Sequence, residues 1–351
     1  MKTNKHPVSE VLLYTVMKHR TLYAMKKKKY IIGIFLFILA AMSSCVYDDQ
    51  SECTLNLKFE YRYNMQNADG FSHEVDEVEV YVYDETKRLV GRYITGVTDA
   101  LDCTMRIPLP APGKYTFVAW GYSTNVMDEM AYFEIPEPGE CIMLENLTAH
   151  LRRTGDCANH KLNSLLNGTL EAEVSGANRN LTVDMMKCTH AIRVILMPTH
   201  GGQTLLSEDF DIHIEGRNGW LAYDASTYQV DPVNYYPYYQ KTEQRNRGNA
   251  GDADIDNAVV ADLNTSRILY GNNARLVVSN KKLGHEILNI DLAWFLSLQA
   301  IGEHKGEWSN QEYLDRQDEY AMTFFIDGDT WMKTHIIVNG WVLSLEDTEL
   351  E

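Results

Sequence analysis

The chain has 351 residues, 45% of them hydrophobic, with 32 Lys and Arg against 49 Asp and Glu, a formal charge of −17. That apolar content suffices for packed cores and excludes a disordered tail. The acidity excludes nucleic acid and anionic headgroups as partners, since such a surface repels both.

The first element in chain order is a basic, then apolar, leader. Lys26 to Lys29 precede an apolar run from Tyr30 to Met42, followed by Ser43, Ser44 and Cys45. The run falls well short of the about 20 apolar residues a membrane-spanning helix needs. Basic start, short apolar core and small residues form the export-signal pattern. Met42-Ser43-Ser44-Cys45 looks like a bacterial lipobox with Met in place of the usual Leu. Cys45 would then receive diacylglycerol and become the mature N-terminus. Met25 makes the better start, residues 1–24 read as an upstream start chosen in error, and residues 1–44 are set aside from the fold. From Cys45 onward, 24 basic residues face 48 acidic ones, a formal charge of −24. The remaining length suits two domains of about 150 residues each.

Beyond Cys45 stand Cys53, Cys103, Cys141, Cys157 and Cys188. An oxidising exterior permits bridges, but an odd number cannot all pair within one chain, and connectivity is not legible. Some of them are expected as buried thiols.

The body of the chain reads as strands. In "TLNLKFEYRY", Leu55, Leu57, Phe59, Tyr61 and Tyr63 share one face and polar residues the other, a half-buried antiparallel strand. "VDEVEVYVYD" repeats the pattern with Val78, Val80 and Val82 inward, turns at residues 84–87, and pairs with "LVGRYI". "CTMRIPLPAPGKYTFVAWG" gives a strand, a Pro112-Gly113 turn and a strand from Lys114 to Trp120; Pro108, Pro110 and Pro112 suit an edge or a connection, not a central strand. "CIMLENLTAHLRR" reads as a strand running into a helical turn. A second strand-rich region opens at "THAIRVILMP" (Thr189–Pro198). "FDIHIEG" and "WLAYDA" are expected to form a hairpin through Arg217-Asn218-Gly219. "QKTEQRNRGNAGDADIDNA" is expected to be an exposed loop, followed by strands at "SRILYG", "ARLVVSN" and "EILNIDL". Helical patterns are confined to "AWFLSLQAI" and "NQEYLDRQ", and "EYAMTFFIDG" with "THIIVNGWVLSLED" closes the chain as a strand pair. Many short strands and few helices imply an all-β chain of paired sandwiches, residues 45–187 and 188–351.

Catalytic signatures are missing: no nucleophile elbow, phosphate loop or dinucleotide fingerprint occurs. His285-Glu286 begins a zincin motif, but Asn289 stands where the second histidine must be. Cys157, His160, Cys188 and His190 could supply four ligands, but their spacings are loose, and ordinary thiols and histidines are the preferred account. No enzyme, metal or cofactor is expected. Tyr235, Tyr236, Tyr238 and Tyr239 around Pro237 could stack on sugars or anchor an interface; stiffening of a loop is the preferred reading.

Several stretches together carry a resemblance: "CVYDDQSEC" after the leader, "LNLKFEYRYNMQNADGF", "VDEVEVYVYD", "PGKYTFVAWG", "NQEYLDRQDEYAMTFFID" and "HIIVNGWV". They span nearly all of the chain beyond Cys45 and resemble the Bacteroidales fimbrillin-associated anchor lipoproteins of the minor fimbrium. The resemblance implies that Cys45 bears lipid, palmitate included, and that Asp48 and Asp49 direct export to the outer leaflet. It also implies two tandem transthyretin-like β-sandwich domains behind a lipoprotein signal peptide. The role it implies is to hold the base of a fimbrium in the outer membrane, facing the exterior, and to limit its length. The partner would be a shaft pilin, met by strand addition. The acidic "SLEDTELE" after Trp341 does not look like a strand for donation, which suits a terminal subunit. The alternative function is a surface glycan-binding lipoprotein.

Overall fold

The computed structural model describes residues 53–97, 103–175, 179–200, 204–246, 255–303, 307–327, 330–338 and 341–343. These residues are mostly β and form five sheets. In a three-stranded sheet, β1 (Cys53–Glu60) lies between β10 (Asn180–Asp184), to which it is parallel, and β4 (Thr104–Leu109), to which it is antiparallel. Facing it is a five-stranded sheet in the order β11 (Met186–Lys187), β9 (Leu165–Val174), β5 (Gly113–Tyr122), β2 (Glu77–Asp84), β3 (Leu89–Gly96). The alternation of β1 puts Leu55, Leu57 and Phe59 between the two sheets, with Met105 and Ile107 from β4 and Val78, Val80 and Val82 from β2. Lys58 and Glu60, on the opposite face of β1, pair at 2.6 Å. The sheets approach closely at Gly168, where a Cβ would lie 2.5 Å from Val183 Cγ1 and 2.8 Å from the Asp184 carbonyl.

The five-stranded sheet is covered on both faces, which period-two reading of β2 did not anticipate. Tyr81, Tyr83, Val118 and Trp120 point away from the first core and are fully buried in a second one. Two phenols complete this packing by donating to loop carbonyls, Tyr81 to Pro136 at 3.0 Å and Tyr83 to Cys141 at 2.9 Å. A tyrosine at an outward strand position reads as polar, yet its ring is apolar and only its tip needs a partner.

The second core holds the other three sheets. A six-stranded sheet runs β16 (Tyr239–Asn246), β17 (Ile255–Ser266), β12 (Thr189–Pro198), β20 (Glu319–Asp327), β21 (Thr330–Val338), β22 (Trp341–Leu343). A five-stranded sheet runs β19 (His285–Asp291), β18 (Arg275–Asn280), β13 (Phe210–Gly216), β15 (Val233–Tyr235), β8 (Cys157–Ala158). A small sheet joins β14 (Trp220–Ala222), β7 (Thr148–Leu151) and β6 (Phe133–Glu134). Beyond the one-turn helix α1 (Phe71–Glu74), helices stand where the sequence predicts them, at α2 (Leu292–Glu303) and α3 (Asn310–Arg316). Leu292, Ala293, Phe295 and Leu296 of α2 are buried in the second core. The α3 start is capped by Ser309 Oγ, which accepts from the Glu312 amide at 3.1 Å.

Four local expectations are corrected. The segment "FDIHIEG" (β13) does not pair with "WLAYDA"; β13 pairs with β15 and β18, and β14 pairs with β7 in another sheet. Asn218 explains the departure, since it is buried and its amide donates to the carbonyls of Ser266 and Arg267 at 3.1 and 3.0 Å. Its carbonyl accepts from the buried Tyr235 hydroxyl at 2.8 Å. A side chain so engaged cannot serve a solvent-facing hairpin turn. The polar stretch after Tyr239 is strand at both ends, its centre at residues 247–254 lying outside the described residues: β16 pairs with β17 over eight residues, its polarity being that of a sheet edge. "SRILYG" is not a strand, since β17 ends at Ser266. In "CIMLENLTAHLRR" the helical turn Leu144–Asn146 precedes the strand instead of following it. Replacing Tyr235 by phenylalanine, which removes the bond to Asn218 and the long one that the hydroxyl accepts from the Ser266 amide at 3.4 Å, is expected to cost about 1–2 kcal/mol in urea unfolding.

Chain segments early and late in the sequence meet through charged groups. Lys187 is largely buried and pairs with Glu74 at 2.8 Å and with Asp318. Burial works against its charge, and the two carboxylates outweigh burial, so its pKa is raised. Arg316 lies over the rings of Tyr63 and Trp308, 4.2 and 4.9 Å from their centroids, and donates to Asn67 Oδ1 at 3.0 Å.

Candidate functional site

The predicted site residues Cys45, Asp48 and Asp49 lie outside the described residues. What the described residues can offer a protein partner is surface, and in a chain of sheets the reactive surface is an unpaired strand edge. Terminal strands differ sharply in how they protect that edge. β16 has the sequence YQKTEQRN, with charges spread along it. β4 carries Pro108, which has no amide proton to offer, so the sequence expectation of an edge there holds. β19 carries His285, Glu286 and Asp291. β10 has five residues, too short to template a long partner.

β3 is the exception. It ends its sheet, pairing only with β2, and its sequence LVGRYITG contains one charge. The edge is closed at its start, where the Leu89 amide donates to the Ile142 carbonyl at 2.8 Å and Leu144 donates to Lys87 at 3.0 Å. A bulge opposite Val82 and Tyr83 leaves the regular part of the edge to Gly91–Gly96. Along this border Val90 is 38% exposed, Ile94 49% and Ile142 44%, an apolar margin uncommon on a free edge.

The single charge on β3 is neutralised in place. Arg92 pairs with the buried carboxylate of Glu79 and, at 2.7 Å, with Glu137, and its guanidinium lies 5.7 Å from the Tyr81 ring centroid. Burial lowers its pKa; the Glu79 hydrogen bond and charge outweigh this and raise it overall. Arg92 therefore does not repel an incoming strand. Tyr93, on the opposite face, donates to the Pro108 carbonyl at 2.9 Å and ties β3 to the facing sheet. The result is a rigid, apolar, effectively uncharged edge. Sequence reading found β3 as a hairpin partner and missed it as an edge, because strand order is not written locally. Its lack of lysine was the available signal.

The remaining candidates resolve into packing. His190 is fully buried, held neutral by burial, and sits 2.9 Å from the Leu314 carbonyl through Nε2. Cys188 is fully buried and its thiol is pushed up to about 12 by burial. His160 Nδ1 lies 3.1 Å from Asp128, and Cys157 belongs to β8 in another sheet. Among the described residues no three metal-ligating side chains gather. Cys141, Cys157 and Cys188 are free thiols, two of them buried; burial raises the Cys141 thiol as well, so it stays unreactive. His285 and Glu286 lie on a strand, not a helix. Of the tyrosines around Pro237, Tyr235 is buried, Tyr236 packs 5.3 Å from the His213 ring, and Tyr239 donates to Glu243 at 2.8 Å. Tyr236, Tyr238 and Tyr239 are half-buried, and Lys241 Nζ lies 5.2 Å from the Tyr239 ring centroid.

Comparison with known proteins bears on this surface. A family model described as Mfa2, fimbrillin-A associated anchor proteins Mfa1 and Mfa2, matches residues 49–347. No curated protein matches. Among solved structures, a candidate adhesin from Bacteroides thetaiotaomicron is 29% identical with a TM-score of 0.73, covering 83% of this chain and 97% of its own. A candidate polysaccharide-binding protein from the same organism is also 29% identical, with a TM-score of 0.70, covering 84% and 99%. The fimbrial anchor protein Mfa2 from Porphyromonas gingivalis, 19% identical, shares the fold with a TM-score of 0.61 over 83% of this chain and 98% of its own.

Proposed function

Because the chain belongs to the fimbrillin-A associated anchor protein family, we propose that it is the lipid-anchored base subunit of a fimbrium. In this reading Cys45 carries the lipid, including palmitate, that holds the protein in the outer membrane. Asp48 and Asp49 send it to the outer leaflet. Residues 45–187 and 188–351 are the two sandwich domains of this reading, with β7 and β8 of the first pairing with β14 and β15 of the second, and a shaft pilin joins by adding a strand and ends there, which limits length. The family match over residues 49–347 is the observation that carries the proposal.

The β3 edge supports the strand-addition part. An added strand gains its main-chain hydrogen bonds from the open side of Gly91–Gly96 and its selectivity from the side chains beside Val90 and Ile94. The test is co-purification of a shaft pilin with the full chain from detergent extracts of the native host. With Ile94→Lys, pilin recovery is expected to fall at least tenfold with thermal stability unchanged, since a lysine on an edge is the natural device against strand addition. Undiminished recovery with Ile94→Lys would move the joint to another edge. No pilin recovered with the wild-type chain would remove the anchoring role itself.

A further inference from the structure

One cleft takes no part in the β3 edge. Its volume is about 520 Å³, and it is lined chiefly by Glu215, Arg217, Gln229, Asn234, Asn272 and Asn273. Four of these six side chains are carboxamides, each offering a donor and an acceptor from one planar group. The only full charges in the lining are one cation and one carboxylate, which offset each other, so neither an anionic nor a cationic ligand is favoured. The only large apolar lining is Pro232, so an apolar ligand finds little to bury. A hydroxyl-rich, uncharged ligand matches what remains, because each of its hydroxyls is both donor and acceptor.

The cleft is built by three segments that hold one another. Asn234 is fixed on β15 by donating to Asp156 Oδ2 at 3.1 Å. Arg217 Nη1 donates to the Gln229 carbonyl at 3.5 Å, and Asn272 donates to Thr227 Oγ1 at 3.2 Å. Gly271 and Asn273 adopt left-handed conformations, φ +84° and +55°, which set the shape of the third segment. Two of the chain's few exposed large side chains stand in these same segments. Tyr228, 37% exposed, precedes Gln229, and Tyr270, 42% exposed, precedes Gly271 and Asn272. The Asn272–Thr227 bond brings the two segments together. The Tyr228 ring also packs on Trp220 with centroids 5.1 Å apart. Amides line the cleft for hydroxyls, and Tyr228 and Tyr270, next to its lining in sequence, supply exposed rings for the apolar face of a pyranose that extends past it.

We propose that this cleft binds a neutral oligosaccharide, giving the protein a recognition activity of its own besides any joint with a pilin. The test is affinity electrophoresis of the full chain in detergent through gels containing mannan, dextran, soluble starch or xyloglucan, with polygalacturonate as the anionic control. The comparison variant combines Gln229→Ala with Asn273→Gly. Both side chains are exposed, and glycine accepts the left-handed backbone freely, so the fold is expected to be retained. The expected result is retardation of the wild type by at least one neutral polysaccharide and none by polygalacturonate. The double variant should need at least tenfold more polysaccharide for equal retardation, with an unchanged circular dichroism spectrum and Tm. Unretarded wild type in all four neutral gels, retardation by polygalacturonate alone, or equal retardation of the variant would each overturn the proposal.

Discussion

Fimbriae are expected to leave the cell for the medium when Cys45 is replaced by alanine. A single acyl chain gives marginal, reversible membrane binding, and two or more make it stable, at about 0.8 kcal/mol for each buried methylene. Without the thiol there is nothing for those chains to be attached to. Among the described residues no helix is long and apolar enough to cross a membrane, so none of these helices offers a substitute for the lipid. Three readings made together check this in the native host: incorporation of labelled palmitate, surface exposure of the protein, and the distribution of pilin between cells and medium. Loss of label with shed pili supports both lipidation and anchoring. Loss of label with pili still on the cells would keep the lipid and remove the anchor. A companion variant, Asp48→Ala with Asp49→Ala, is expected to keep its label and lose surface exposure.

The largest stability effect is expected from Asp315→Ala, a loss of about 3–5 kcal/mol. Asp315 and Arg267 form two parallel hydrogen bonds, each 2.8 Å, with side chains 5% and 13% exposed. Gln311 donates to the same carboxylate at 2.9 Å, and Arg267 Nη1 donates to the Ala225 carbonyl at 2.8 Å. The carboxylate thus completes a network that ties α3 to the segment after β17. Deleting it leaves a buried guanidinium without its counter-charge. Burial lowers the Arg267 pKa and Asp315 raises it by more; without Asp315 the guanidinium, which does not give up its proton, stays charged and bears the cost. Replacing both partners, Arg267→Met with Asp315→Leu, is expected to recover most of the loss, because a matched apolar pair removes the uncompensated charge. Denaturant unfolding of the two variants decides: a single substitution costing less than about 1 kcal/mol would mean that water screens the pair.

Much of the fold was legible because its central strands alternate. Leu55, Leu57 and Phe59 in β1, the valines of β2 and the run Thr189–Pro198 stand as read. The reading failed where a distant partner decided the local structure. Asn218 looks like a hairpin turn until Ser266, Arg267 and Tyr235 are brought to it. The residues of β16 look like a loop until β17 is laid beside them. Tyr81 and Tyr83 look outward until the second core covers them. The candidate site divides the same way. Cys45, Asp48 and Asp49 follow from a contiguous motif, whereas the β3 edge depends on which strand happens to be last in a sheet. Lys187, at the expected boundary between domains, gave no signal in sequence that Glu74 and Asp318 would both reach it.

The position of β1 has a mechanical consequence. A tether on Cys45 would deliver tension from a pulled fimbrium into the chain just before Cys53, the first residue of that strand. β1 is bonded on both sides, to β10 through five residue pairs and to β4 through six. Tension along the strand loads both ladders in shear, so their bonds share the force and must fail together. An outer strand peeled from one end would instead surrender its bonds one at a time. Threading such a tether into the middle of a sheet would give the attachment a high rupture force.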